Sequence, residues 1–116
     1  MDVGCLNSEI YTYVGKYHYY GIDVSKHAIE EMKKRNPYGW YYVENIYNLG
    51  DFPPYDYVVL GEILEHLEEP EKAIKEAFRA LKPGGILAIS VPLEEAREFG
   101  AVDVTRHVWS FSKDDI

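Results

Sequence analysis

A chain of 116 residues is long enough to bury one core and too short for two, so residues 1–116 are expected to form a single domain. Hydrophobic residues at 47% and charged residues at 28% exclude a disordered tail and a fibrous repeat, and no apolar run approaches the length of a membrane span. Twelve Lys and Arg against twenty Asp and Glu leave a net charge of −8, which works against phosphate backbones and makes nucleic acid a disfavoured partner.

Along the chain, short β-branched or aromatic runs alternate with helical patterns, the signature of βαβ units around a parallel sheet. The first strand is a stub, Met1 to Val3, followed by a loop over Gly4 to Asn7 and a short helix from Ser8 to Val14 that Gly15 ends. Cys5 in that loop is the lone cysteine, which excludes an internal disulfide and a cysteine-based zinc cluster within one chain. With no basic or apolar leader after Met1, the expected compartment is the cytoplasm. Tyr17 to Val24 reads as the second strand. Ser25 then caps a helix with Ala28, Ile29 and Met32 on one face, which Asn36-Pro37 stops.

Trp40 to Val43 is the third strand, and Asn45 to Pro54, rich in Asn, Gly and Pro, reads as loop. Tyr55 to Gly61 is the fourth strand. Pro70 to Lys82 has Pro in its first turn and Ile74, Ala77, Phe78 and Leu81 at helical spacing, with Pro83-Gly84-Gly85 as the stop. Ile86 to Val91 is a continuous apolar run suited to an interior parallel strand. A short helix is expected over Glu94 to Phe99, and another beginning at Ser112 or Lys113.

An open parallel sheet binds ligands beyond the carboxyl ends of its strands, where strand order reverses. Gly4 permits a tight turn there, and Asp23 ends the second strand where nucleotide-binding folds set an acid against ribose hydroxyls. Asp2-Val-Gly4-Cys, then Gly21-Ile-Asp23-Val-Ser25, then Tyr55-Asp56 through Glu62-Ile-Leu-Glu65-His66-Leu, then Leu81-Lys-Pro83-Gly84-Gly85 follow in order. This series resembles the ordered motifs of the class I S-adenosylmethionine-dependent methyltransferases, over nearly the whole chain.

The resemblance implies a three-layer Rossmann-like α/β sandwich with a mostly parallel sheet in the order 3-2-1-4-5, lacking the usual sixth and seventh strands. It implies S-adenosylmethionine as cofactor. Asp2 and Gly4 would line the methionine end, Asp23 would bind the ribose hydroxyls, and Ile22 and Val24 would border the adenine. Asn45 would face the adenine amino group with Ile46 packed on the ring, and Leu60, Gly61 and Glu62 would form the floor beside the sulfonium. The chain departs from the pattern where Leu6 and Ser8 replace further glycines of the first loop. It also lacks the helix that usually precedes the first strand, and most of that strand.

Glu62-Ile-Leu-Glu65-His66 with the later His107 is similar to the metal-dependent enzymes that methylate small-RNA 3′ ends and to the O-methyltransferases of ubiquinone synthesis. That similarity implies Glu62, Glu65, His66 and His107 as ligands of a divalent metal, although metal-free relatives also carry Glu-His-Leu. Methyl transfer from a sulfonium needs acceptor and methyl held in line, with a base or metal helping where the acceptor is a hydroxyl. His66 and His107 are the candidate bases. The expected activity is methyl transfer to a small-molecule acceptor, O-methylation before N- or C-methylation. A non-catalytic cofactor-binding or partner-binding relative is the alternative. A nicotinamide-dependent oxidoreductase is disfavoured because the first loop lacks Gly-x-Gly-x-x-Gly. The aromatic third strand, Trp40 to Val43, should lie at a sheet edge and is the candidate surface for a homo-oligomer.

Overall fold

The computed structural model describes residues 1–91 and 108–112. Strands β1 (Asp2–Val3), β2 (Tyr20–Asp23), β3 (Trp40–Val43), β4 (Tyr55–Gly61), β5 (Leu81–Ser90) and β6 (Val108–Ser112) form one sheet in the order β3-β2-β1-β4-β5-β6. The first five run parallel, as expected. β6 is antiparallel on the outer edge of β5, with Ile89 opposite Trp109 and Leu87 opposite Phe111. A sheet ending at the fifth strand is therefore too short a reading, and Ser112 closes a strand rather than opening a helix. The signal was the alternation Val108-Trp-Ser-Phe-Ser112, which has the period of a strand. Glu94 to Phe99 lies outside the described residues.

Helix α1 (Tyr11–Val14) and α2 (Lys26–Arg35) cover one face of the sheet, and α3 (Pro70–Arg79) covers the other. In α2 the Ser25 hydroxyl accepts from the Ala28 amide at 3.2 Å, and Ala28, Ile29 and Met32 are buried. This is the pattern that sequence spacing requires of an amphipathic helix capped by serine. On the α1 and α2 face, Ile29 and Met32 pack with Tyr19 and Cys5. On the α3 face, Ala73 and Ala77 pack with Val3, Ile22, Val58, Leu60 and Leu87 in the larger cluster. No helix of the described residues is long and apolar enough to cross a membrane.

Several boundaries differ from expectation for local reasons, and the first helix begins at Tyr11 rather than Ser8. Tyr17 and His18 belong to a 3-10 turn, Lys16–His18, so β2 starts later, at Tyr20. The Asn45 to Pro54 segment holds a 3-10 helix, Ile46–Asp51, because the Asn45 side chain accepts from the Tyr47 amide at 2.9 Å and caps it. Helix α3 stops at Arg79, and Leu81 already pairs with Tyr55, whose amide donates to the Ala80 carbonyl at 2.7 Å. Pro83-Gly84-Gly85 thus lies within β5 at an irregularity in its register against β4, not at a helix end.

Candidate cofactor site

Period two along β1 and β2 decides which side chains meet. Asp2, Gly21 and Asp23 point to the α1 and α2 face, whereas Val3 and Ile22 point into the larger core. A Cβ on Gly21 would stand 2.9 Å from Cys5 Sγ and 3.0 Å from Tyr41 Cδ1, so only glycine fits between these two. At the carboxyl end of β1, Gly4 has φ of 73°, and the amides of Gly4 and Cys5 both donate to the Ile22 carbonyl, at 2.8 and 3.1 Å. The loop therefore folds tightly against the end of β2. Asn7, at φ of 63°, turns it a second time, and Ser8 donates its amide to the Cys5 carbonyl at 3.0 Å.

Asp23 stands where the sequence places it, at the last position of β2, half-buried, with one carboxylate oxygen accepting from the Ser25 amide at 2.9 Å. Val24 and Asn45 are exposed beside it, and the Asn45 oxygen is engaged as a cap. Asp2 is different. Its carboxylate is buried and accepts a hydrogen bond from the Tyr19 hydroxyl, and burial raises its pKa despite that bond and one from Ser8. Ile22, Ile46 and Leu60 are buried in the larger core beneath the carboxyl ends of β1 and β2.

Among the described residues, the one atom near the side-chain direction of Gly61 is Ser90 Oγ at 3.7 Å. Next to it Glu62 takes φ of 51°, a left-handed conformation that non-glycine residues rarely adopt, and its amide donates to the Ser90 carbonyl at 2.9 Å and hydroxyl at 3.2 Å. Neither the strain nor Ser90 was legible, since both depend on β5 lying beside β4. Ile63 follows, and its Cδ1 fills the space of the side chain that Gly4 lacks, 2.8 Å from where a Cβ would stand.

The turn after β4 does not gather a metal site. Glu62 and His66 are exposed, Glu65 is nearly buried, and the closest approach is 3.6 Å between His66 Nε2 and Glu65 Oε1. Among the described residues no three His, Cys, Asp or Glu side chains come close enough to hold an ion. His107 lies outside the described residues. The expectation of a four-ligand metal centre is thus unsupported: a 3-10 turn, Leu64–His66, separates the directions of neighbouring side chains.

Residues 1–89, which carry the Gly4 loop, Asp23 and the Glu62 turn, match the family described as Methyltransferase domain. The chain belongs to this family. Among solved structures, the methyltransferase domain is similar to the [4+2]-cyclase SpnF, at 26% identity and TM-score 0.66, over 78% of this chain and 37% of that one. It also resembles the N-methyltransferase NodS from Bradyrhizobium japonicum WM9 in complex with S-adenosyl-L-homocysteine, at 24% identity and TM-score 0.71, over 87% and 56%. A third is the plantazolicin methyltransferase BpumL with S-adenosyl-L-homocysteine, at 21% identity and TM-score 0.70, over 91% and 44%. The chain thus spans 37%, 56% and 44% of these proteins' lengths. Curated proteins give no match. The fold is that of the class I S-adenosylmethionine-dependent methyltransferases.

The residues fit that cofactor unevenly. At the ribose end the Asp23 carboxylate is held by a backbone amide at a strand terminus beside exposed Val24 and Asn45. At the methionine end the open side of Gly4 is already filled by Ile63, and Asp2 is turned toward Tyr19. A cavity of about 620 Å³ does open in the domain, but it lies at the amino-terminal ends of the strands, lined by Tyr20, Tyr55, Tyr57 and Lys82 among others. Asp2 lines it too, whereas Asp23 and the Gly4 loop stand at the opposite ends of the strands.

Proposed function

We propose that this methyltransferase domain binds S-adenosylmethionine across the carboxyl ends of β1, β2 and β4 and transfers its methyl group to a small-molecule acceptor. The observation that carries the reading is the placement of Asp23, at the end of β2 beside the Gly4 turn, within the stretch that matches the family. Asp23 binds the ribose hydroxyls, with its second oxygen left for that purpose. Gly4 turns the first loop tightly against the end of β2, and Val24 and Asn45 border the adenine. Gly61 and Glu62 form the floor on which the acceptor meets the methyl group.

When bound, the cofactor supplies an electrophilic methyl on a sulfonium. The protein's part is to hold the acceptor in line and to exclude water. His66, three-quarters exposed, takes the proton of a hydroxyl acceptor at its imidazole, with the Glu65 carboxylate 3.6 Å from Nε2 to orient the ring. Oxygen is the preferred acceptor atom on the strength of the Glu-His-Leu similarity. His107 is the second candidate base. The expected compartment is the cytoplasm.

Calorimetric titration with S-adenosylhomocysteine tests the pocket without the acceptor. Saturable one-to-one binding is expected, and Asp23→Ala should weaken it about tenfold to a hundredfold, the worth of a hydrogen bond to a charged group. A folded protein that binds nothing at about 1 mM ligand, or an Asp23→Ala variant that binds as before, overturns the assignment.

A further inference from the structure

The free edge of the sheet carries more information than its exposure. β3 ends the strand order, and its ladder with β2 fixes which backbone groups face outward. The Trp40 amide donates to the Tyr19 carbonyl at 2.9 Å and the Glu44 amide to the Asp23 carbonyl at 3.1 Å. Alternation along a parallel strand then turns the N–H and C=O groups of Tyr41 and Val43 away from the sheet. The side chains there are apolar and already ordered. Trp40 stacks on Tyr20 with ring centroids 6.3 Å apart, and Tyr42 meets Phe52 edge-on at 5.1 Å, yet 55% of Trp40, 38% of Tyr42 and 52% of Val43 remain exposed.

Natural edges are usually guarded by lysine, proline, a bulge or a covering element. Residues 38–43, Tyr-Gly-Trp-Tyr-Tyr-Val, contain none of those guarding residues and no formal charge, in a chain whose net charge is −8. A second copy of this chain can therefore approach at this segment without bringing like charges together. The flanking Glu44 carboxylate is folded back onto the Asn45 amide at 2.8 Å.

We propose that β3 pairs antiparallel with β3 of a second copy, about a twofold axis at Tyr42. Tyr41 of each copy then exchanges both backbone hydrogen bonds with Val43 of the other, and the six-stranded sheet continues across the dimer. A four-residue strand buries less than a standard interface, so the association is weak and concentration-dependent. The proposal is independent of the methyl-transfer reading.

Sedimentation velocity from about 1 μM to about 1 mM protein should show a monomer passing to a dimer, and Val43→Lys should keep the protein monomeric throughout. Amide exchange on the wild-type chain tests the register without any substitution. Protection of the Tyr41 and Val43 amides should rise at least tenfold between the dilute and concentrated samples, while Trp40 and Tyr42, already bonded to β2, stay unchanged. A monomer at every concentration overturns the proposal. A dimer that survives Val43→Lys, or new protection at Trp40 and Tyr42 or on another element, overturns it as well.

Discussion

Two aspartates on one face of the sheet meet opposite environments. Asp23 keeps a half-open position with a backbone donor, whereas Asp2 is enclosed, with Tyr19 and Ser8 as hydrogen-bond partners. Burial dominates at Asp2, with the neighbouring Asp23 charge acting in the same direction, so its folded pKa stands above the ordinary carboxylate value. The folded protein then holds the Asp2 proton after the unfolded chain has released it. Stability from this group is complete below the unfolded pKa and is lost as pH rises through the folded one. Asn in its place still accepts from the Tyr19 hydroxyl but does not titrate. The melting temperature of the wild-type chain, taken relative to Asp2→Asn, should therefore fall as pH is raised from the acidic carboxylate range toward neutrality. A difference that stays constant or grows with pH would show that the hydrogen bonds outweigh burial. Asp-x-Gly in the sequence located this carboxylate but not its orientation, because orientation depends on Tyr19 arriving from beyond the first helix.

At the scale of elements, local patterns sufficed wherever one face of a helix or strand carried the signal. Ser25 with Ala28, Ile29 and Met32, and the aromatic run Trp40 to Val43, were placed correctly from spacing alone. The failures fall where a neighbouring strand decides. Pro83-Gly84-Gly85 has the composition of a helix stop, yet β4 pulls the chain into pairing at Leu81. Gly85 is then required for space: a Cβ there would stand 2.9 Å from the Lys82 carbonyl and 3.1 Å from the Asp56 carbonyl. Backbone atoms yield less readily than side-chain tips. Gly85→Ala should destabilise the domain by about 1–3 kcal/mol through overpacking, read as a lower urea midpoint with unchanged slope. Gly84 has φ of 78°, and among the described residues nothing stands within 4 Å of its missing side chain, so Ala there is opposed by backbone conformation. An unchanged midpoint for Gly85→Ala would mean that the β4 and β5 irregularity is looser than its packing indicates.

For the whole molecule, the order of motifs along the chain revealed the five parallel strands, since each strand is followed by its own turn or helix signal. Side-chain convergence at the carboxyl ends was less legible, because it depends on strand register, which sets how deeply Ile22, Ile46 and Leu60 are buried. The electrostatic balance is a property of no single element. Five Lys or Arg ion pairs occur among the described residues, and most join exposed side chains, as in Lys34–Glu31, Lys72–Glu69 and Lys82–Asp56. Such exposed, solvent-screened pairs contribute little, while a net charge of −8 on a domain with a radius of gyration of 13.5 Å repels itself over the whole surface. Salt screens both terms, with a Debye length of about 10 Å at 0.1 M and about 3 Å at 1 M. Because the repulsion is summed over the surface and the pairs are few and exposed, screening should favour the folded state. The melting temperature is expected to rise with sodium chloride, by roughly 4 °C for a gain of about 1 kcal/mol, measured at fixed dilute protein concentration so that association does not contribute. A fall in melting temperature with salt would mean that the ion pairs, Arg79–Glu76 foremost because Glu76 is buried, outweigh the net charge.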